Sequence, residues 1–547
     1  MSWTERIREL RLDRRLYEKL LALIILAGFV LRVALISQDI SVLLNKFLSD
    51  DSYYYFSIAH NIANGRGIVF NYGIPTNGFH PLYVLILLPI FKLLYPLGVN
   101  VPVYASLFLA TMFSIGTSIF LFLIASILLN KKAGLLAAFI WLFNPYILFV
   151  SLMGMETPLQ IFFLSWLTYF LLTRKNRNRL SLSEAALAGF LIGMTFLSRM
   201  DGVFVAIGVM SALAIRRLLA SRQSGRSTLR SLLGLARPAD LLILGLTALL
   251  TVLPWLAWNL IVLNRITPVS GEALRMIRLT GPPYLNWVFT SSYTTLEFAA
   301  NIFGIYYVWP STAVLLFTIY SALLIPLMVL ILGKDTLMRT LAGSLDFLII
   351  SAAAYYAFYW FYELGLRDWY SLFTSFLVTV VFSTAIVALI QRVHLGKLRQ
   401  TIYIALVGVL ASAFIGSGIL KYEEGNYPQE KLKWEVARYI ETNIPAKETI
   451  GAFNTGIYQY YTENHDVINL DGVINPEAHE AMKNRDIEGY ILRKGIDYIA
   501  DPPKYVEGLD RSILKIEAIR TFEMSCSRCP KSAKGELEIG LFRVTRP

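Results

Sequence analysis

Two adjacent carboxylates are the first residues in this chain whose type and spacing could do chemistry. Asp50 and Asp51 stand in Ser49-Asp50-Asp51-Ser52-Tyr53-Tyr54-Tyr55-Phe56, shortly after a long apolar run. A carboxylate near a membrane surface is costly unless it is solvated, paired or functional. Such a pair can supply a general base or, with a third acid, oxygen ligands for a magnesium or manganese ion. The structural alternative is a pair of interfacial acids capping the next helix, a position that aspartate favours. Arg275 and Arg278 follow Pro268-Val269-Ser270-Gly271, and Arg367 opens Arg367-Asp368-Trp369-Tyr370. Arginine is the side chain that best stabilises phosphate charge. Asn454-Thr455-Gly456 and Asn469-Leu470-Asp471-Gly472 are polar, Gly-punctuated loops of the kind that line clefts, although the same residues also simply make turns. Cys526 and Cys529, in Cys-Ser-Arg-Cys, fall short of the four ligands of a structural zinc site and are expected as a local disulfide or two thiols.

The elements that must position these residues are membrane helices. The 547 residues are 56% hydrophobic and 16% charged, against about 25% charged in soluble domains. Leu20 to Ser37 and Tyr370 to Leu389 stay apolar for the length a bilayer requires, and no Lys, Arg, Asp or Glu occurs between Val101 and Asn130. The basic N-terminus precedes an apolar run long enough to remain as an anchor. Eleven spans are expected, over 20–37, 103–129, 133–151, 157–173, 184–198, 202–219, 240–263, 311–333, 345–362, 369–391 and 401–420. Arg32, the one charge in the first, is expected to snorkel outward. The aromatic stretch from Tyr355 to Tyr362 reads as an interfacial belt.

The stretch 81–98 decides the topology. If it crossed, the basic loops at Arg174 to Arg179 and Arg216 to Arg237 would face outward, against the positive-inside rule. If it lies in the outer interface, about 23 basic residues fall inside against roughly 8 outside. The second arrangement places the N-terminus in the cytoplasm and the C-terminal domain outside. It also accounts for the net charge of +12 without nucleic acid, because the basic clusters are split among short loops. Two domains are expected: a transmembrane domain over 1–420 and a soluble domain over 421–547. In the latter, helical patterns (Gln429 to Asn443, Pro476 to Asn484) alternate with strand-like runs (Thr449 to Phe453, Val467 to Leu470, Tyr498 to Ala500, Leu537 to Val544), which reads as a small α/β fold.

The first outer loop continues through Asn64-Gly65-Arg66-Gly67 to Thr76-Asn77-Gly78-Phe79-His80-Pro81-Leu82-Tyr83. An acidic pair after the first span, a short helix, a Gly-x-Gly turn and His-Pro-Leu-Tyr opening an apolar interfacial helix resemble the GT-C glycosyltransferases. The closest branches are the protein O-mannosyltransferases, the lipid A aminoarabinose transferases and the arabinofuranosyltransferases. Gly154-Met155-Glu156-Thr157-Pro158-Leu159 resembles a second acidic motif of that family, with Glu156 where the mannosyltransferases carry Asp. Ser198-Arg199-Met200-Asp201-Gly202 resembles its basic residue followed by Gly. Without the resemblance, Glu156 would read as an acid at a helix N-terminus, and Arg199 with Asp201 as an ion pair closing a helical hairpin. The likeness covers roughly residues 15–265.

The resemblance implies an all-α GT-C-like membrane domain, a polyprenyl-phosphate sugar donor and transfer on the extracytoplasmic side of the plasma membrane to a glycan, lipid or protein hydroxyl. It implies Asp50 as general base, with Asp51 and Glu156 as further catalytic acids. His80, Arg199, Asp201, Arg275, Arg278, Arg367, Asn454 and Asp471 are the candidate substrate-binding residues. It favours a single inverting displacement and no obligatory metal. A transporter or flippase of lipid-linked sugars is the rival reading. It would call for inverted repeats and helices broken at midplane, and the sequence shows neither.

Overall fold

Apolar runs free of breakers become long helices. The computed structural model describes residues 3–71, 73–174, 179–223, 239–279, 343–361, 368–392, 398–425, 427–525 and 536–546. The membrane part begins with α1 (Trp3–Ile36), followed by the short α2 (Ile40–Lys46) and α3 (Asp50–Ala63) and by α4 (Pro81–Leu94). Next come α5 (Val101–Leu128), α6 (Lys131–Phe143), α7 (Pro145–Ser151), α8 (Thr157–Leu172), α9 (Leu182–Ser198), α10 (Val203–Gln223), α11 (Ala239–Leu263) and α12 (Val269–Leu279). After residue 343 follow α13 (Asp346–Phe361), α14 (Leu372–Arg392) and α15 (Leu398–Glu424). Among the described residues, six helices are long and apolar enough to cross a bilayer, and α6 with α7 forms a seventh candidate bent by 57°. The chain is an integral, multi-pass membrane protein. Helices α8, α9 and α13 have 16, 17 and 16 residues, about 24–26 Å of helix each. The expected span 311–333 and both cysteines lie outside the described residues.

The bend has a local cause. Pro145 cannot continue the ladder, and Asn144 before it is held at φ −61°, ψ 122° while its side chain caps α7. The carbonyls freed by the break need donors. Arg32 supplies one: its Nη1 donates to Leu142 O at 2.8 Å and its Nη2 to Ser114 Oγ at 3.4 Å. Arg32 is fully buried. The snorkelling expectation is therefore corrected: a broken backbone inside the bundle offers acceptors that a lipid-facing position would not.

Helix α4 is only 14 residues, about 21 Å, short of a ~30 Å hydrocarbon core. Both of its ends meet the C-terminal domain. Gly78, just before it, packs on Ile474, and just after it Tyr95 donates to Glu463 at 2.6 Å. Tyr460 and Tyr461 in turn donate to Val99 O and Asn100 Oδ1 at 2.6 and 2.9 Å. A helix whose two ends contact one domain on one side does not cross the bundle.

That domain contains α16 (Pro428–Asn443), β1 (Thr449–Ala452), α17 (Gly456–Tyr461), β2 (Asp466–Asn469), α18 (Pro476–Lys483), α19 (Ile487–Lys494), β3 (Tyr498–Asp501), α20 (Pro503–Glu507), β4 (Lys515–Ser525) and β5 (Glu536–Thr545). The sheet order is β2-β1-β3-β5-β4, with β1 parallel to β2 and β3 and the last two strands antiparallel. The C-terminal edge of the parallel strands, where open α/β sheets bind ligands, is pressed against α3 and the loop after it. Strand β4 escapes the sequence pattern because its burial does not alternate cleanly.

The non-spanning assignment is open to test. In a background with Cys526 and Cys529 replaced by Ser, cysteines at Asn64 and Leu97 should react with an impermeant maleimide from the same side of the membrane as one at Lys447. Reaction of Asn64→Cys and Leu97→Cys from opposite sides would show that α4 crosses.

Candidate active site

Helix α3 is the element shared by both halves of the site. Ser49 starts it as N-cap, its Oγ accepting from the Asp51 N–H at 3.3 Å. A period of 3.6 then divides its side chains. Asp50, Tyr53 and Ser57 face the C-terminal domain, while Asp51 lies about 100° further round, on the flank of Tyr55.

On the domain side, the two oxygens of Asp50 accept from the N–H groups of Gly456 and Ile457, each at 3.1 Å. These are orphan donors at the start of α17, where a negative charge is favoured. Lys433 Nζ stands 3.4 Å from Asp50 Oδ1 and 2.9 Å from Glu430 Oε2. Any side chain at 456 would strike the Asp50 carbonyl oxygen, which explains glycine there. Tyr53 and Tyr461 share a hydroxyl bond at 3.2 Å. Asn71 bonds the backbone of Val467 and Asn469, extending the contact along β2. Asp471 and Asp501, at the ends of β2 and β3, complete a buried acidic cluster, with Asp501 accepting from Phe453 N–H at 2.7 Å. Burial pushes the Glu430 carboxyl up to about 7; Lys433 pulls it down and Asp50 adds to the rise. Burial likewise lifts Asp471 to about 7 and raises Asp501 well above its ordinary value.

On the membrane side, charges converge from several helix ends. Glu156, fully buried at the N-cap of α8, accepts from Arg199 Nη1 at 2.6 Å. Arg199 Nε donates to Asp201 Oδ2 at 3.0 Å, and Gln160 donates to Asp201 Oδ1 at 2.7 Å. Tyr359 donates to Asp201 at 3.4 Å, and the Tyr370 ring lies 4.6 Å from the guanidinium. His80 Nε2 is 3.8 Å from Glu156 Oε1, and Tyr55 stacks on its ring. Burial lowers the His80 pKa, with Glu156 opposing, so the imidazole is neutral at neutral pH. Glu156 Oε2 and His80 Nδ1 are buried without a hydrogen-bond partner. A polar atom left so costs about 1–3 kcal/mol, and a bound hydroxyl could meet either of these two.

The structure thus gathers Asp50 and Asp471 on one side of α3, with Asn454 on the loop after β1, and His80, Glu156, Arg199 and Asp201 on the other, with Asp51 between them on the flank of Tyr55. Arg275 is exposed on α12, a helix tied to α18 by Glu272 near Arg265 and His479. The Arg278 side chain and all of Arg367 lie outside the described residues. Arg199 is held between two carboxylates, so its first role is to keep Glu156 and Asp201 together. Tyr359 and Tyr355 are buried against this cluster and so do not belong to an aromatic belt, while Phe358 of the same stretch is exposed and the side chains of residues 360–362 lie outside the described residues. Lys433, Glu430, Asp501, Gln160 and Tyr359 were not anticipated. Lys433 and Glu430 had the spacing of an ordinary surface i,i+3 pair, and Gln160 carries no charge to draw notice. Among the described residues no three His, Cys, Asp or Glu converge as metal ligands.

The fold is that of the GT-C membrane glycosyltransferases. Residues 80–258 match the profile of the dolichyl-phosphate-mannose-protein mannosyltransferase family, and residues 421–534 match a domain of unknown function (DUF8728). Among solved structures, ArnT from Cupriavidus metallidurans in the apo state superposes with a TM-score of 0.59 at 11% identity, covering 95% of this chain and 97% of that one. The same protein bound to undecaprenyl phosphate gives 0.52 at 12% identity over the same shares. The apo oligosaccharyltransferase of Archaeoglobus fulgidus gives 0.50 at 13% identity, covering 87% of this chain and 69% of that one. No curated protein matches the sequence. The chain thus has the fold of these GT-C glycosyltransferases, and residues 80–258 carry the segment of the mannosyltransferase family.

Two outcomes follow for the domain contact. Lys433→Met removes the buried cation and leaves Asp50 and Glu430 facing each other, a loss of roughly 3–5 kcal/mol. Limited proteolysis should then cut between α15 and α16 faster than in the wild type. The contact should also weaken with rising pH. Glu430 and Asp471 have folded pKa values near 7, above their ordinary 4.5 and 3.8. Their contribution is complete below those ordinary values and is lost as pH rises through about 7. Amide exchange over 453–461, corrected for intrinsic rate, should be faster at pH 8 than at pH 5.5; equal protection would refute the linkage.

Proposed function

We propose that this protein transfers a sugar from a polyprenyl-phosphate donor to an acceptor hydroxyl on the extracytoplasmic side of the plasma membrane. The observation that carries the proposal is the convergence of acids from α3, α8 and the α9–α10 turn at one end of the helices, directly beneath the C-terminal domain. The undecaprenyl phosphate bound by the Cupriavidus metallidurans neighbour supports this donor class. The N-terminus then lies in the cytoplasm, on the side of the basic loops, and residues 421–547 act as a separate outer domain that roofs the site. The acceptor is a glycan, lipid or protein.

The base is one of the two adjacent aspartates. The resemblance points to Asp50, but in this structure both Asp50 oxygens are committed to the start of α17 and Oδ1 also faces Lys433. Asp51 lies on the same side of α3 as Tyr55, whose ring stacks on His80 beside Glu156. We therefore assign the base role to Asp51 and a positioning role to Asp50. The acceptor O–H gives its proton to the Asp51 carboxylate while its oxygen bonds to the anomeric carbon. The bond from that carbon to the phosphate oxygen breaks, and the polyprenyl phosphate leaves with the electron pair. One such displacement inverts the anomeric centre. Neutral His80 and the free lone pairs of Glu156 orient the sugar. Arg275, Arg278 and Arg367 are the proposed stabilisers of the leaving phosphate. No obligatory metal is proposed, so chelation should leave the rate unchanged.

Membranes containing the protein should move radiolabel from polyprenyl-phosphate mannose or arabinose to an acceptor, read by thin-layer chromatography. Asp51→Asn should cut turnover by about 10²–10⁴ with donor binding unchanged. Asp50→Asn keeps one acceptor oxygen, so it should lower turnover less and loosen the domain contact. If Asp51→Asn turns over normally while Asp50→Asn is dead with the domain still docked, the base is Asp50.

A further inference from the structure

The face of α3 turned away from Asp51 borders a second polar cavity that the transfer chemistry does not use. It has a volume of about 240 Å³ and lies between the end of α3, the end of α4 and the segment after α17. Ser57, His60 and Arg66 line it from the membrane part, with Tyr95 beside them, and Gln459 and Glu463 from the C-terminal domain. It therefore exists only when the two parts are docked.

Two of its side chains are buried and lack a partner. Ser57 is 4% exposed and its Oγ makes no hydrogen bond; Gln459 is 9% exposed and its Oε1 makes none. A buried helical serine commonly bonds back to a carbonyl of the preceding turn, as Ser106 and Ser375 do here. Ser57 does not, so its hydroxyl remains available to the cavity. Unmet buried polar atoms are uncommon, and two lining one cavity point to a ligand that meets both.

The chemistry of the lining selects the ligand. It mixes neutral donors and acceptors: a hydroxyl, an amide and an imidazole whose pKa is lowered by burial and by Arg66, so that it is uncharged. Its two charges, Arg66 and Glu463, are of opposite sign, which disfavours a phosphate or a cation. Tyr95 holds Glu463 at 2.6 Å, and its ring centroid lies 3.8 Å from that of His60. The volume is below the ~300–1,000 Å³ of sites for drug-sized ligands, so one small ring fits better than an extended chain. Neutral bidentate side chains beside an aromatic ring suit a polyhydroxylated ring. We propose that this cleft binds one neutral saccharide unit, separate from the donor site, and that it holds a sugar of a glycan acceptor. Only the last clause rests on the transferase reading.

The experiment measures binding, not transfer. Full-length protein in nanodiscs is mixed with the methyl glycosides of mannose, glucose, N-acetylglucosamine and arabinofuranose, and saturation transfer is recorded by NMR. At least one should bind the wild type. Ser57→Ala, Gln459→Leu and, at the exposed rim, Glu463→Gln should each weaken it about three- to tenfold, the worth of one hydrogen bond. Thermal stability and undecaprenyl phosphate binding report that each variant is folded. Asp51→Asn should leave glycoside binding unchanged. No binding of any glycoside to the wild type, binding indifferent to all three substitutions, or displacement of the glycoside by inorganic phosphate would each overturn the proposal. Glycoside binding in a protein that transfers no sugar would instead keep the cleft and sink the transferase reading.

Discussion

The carboxylate of Asp50 against the first N–H groups of the helix Gly456–Tyr461 is the contact on which the rest of this structure depends. A carboxylate buried at the base of a soluble domain would be expelled unless something met its charge. Two orphan backbone donors, the positive end of a short helix and Lys433 meet it together. The same contact requires glycine at 456 and brings the C-terminal edge of the parallel strands onto the first outer loop. A crevice that open α/β sheets ordinarily give to a ligand is here filled by another part of the same chain. The helix Asp50–Ala63 thereby becomes a beam with a domain on one side and the membrane charge cluster on the other, and the position of Asp51 is set by both.

The membrane cluster follows the same rule of compensation. Glu156 and Asp201 are affordable at the ends of apolar helices because Arg199 bonds both, and because Gln160 and Tyr359 take up remaining lone pairs of Asp201. At the other end of the bundle, Arg216 pairs with Asp346 and Arg217 with Asp240, cross-linking three helices where no chemistry is proposed. The two sets differ in what they leave over. The latter four side chains leave no buried polar atom unmet, whereas the Glu156 cluster leaves one carboxylate oxygen and one imidazole nitrogen buried and unmet. Unmet polar atoms in an otherwise compensated cluster are groups that a bound molecule could satisfy.

The aromatic residues explain why the arrangement is stiff. Tyr53 bonds Tyr461, Tyr55 packs between His80 and Tyr83, and Tyr83 donates to the carbonyl of Gly154, two residues before Glu156. Gly154 takes a φ of +76°, and a Cβ there would approach that of Ser52 to 2.9 Å, so the loop before Glu156 is packed directly on the helix bearing both aspartates.

Much of this was legible in the residues alone. Hydropathy runs determined the membrane helices, because bilayer thickness imposes a length that can be counted along the chain. Charge alternation gave the expectation that the stretch 81–98 stays on one side, and the helix found there has both ends on the domain. The strands Thr449–Ala452, Asp466–Asn469 and Tyr498–Asp501 lie where alternation and Gly punctuation put them. Tertiary structure alone decided which of two adjacent aspartates faces the domain, that Lys433 is buried between Asp50 and Glu430, that Arg32 serves a broken helix, and that Tyr359 belongs to the charge cluster. The physical reason is the range of each signal. Hydropathy and sidedness are sums over neighbouring residues and survive in one dimension. Neutralising a buried charge can pair residues hundreds of positions apart, as Lys433 with Asp50, and nothing local records that such a partner will arrive.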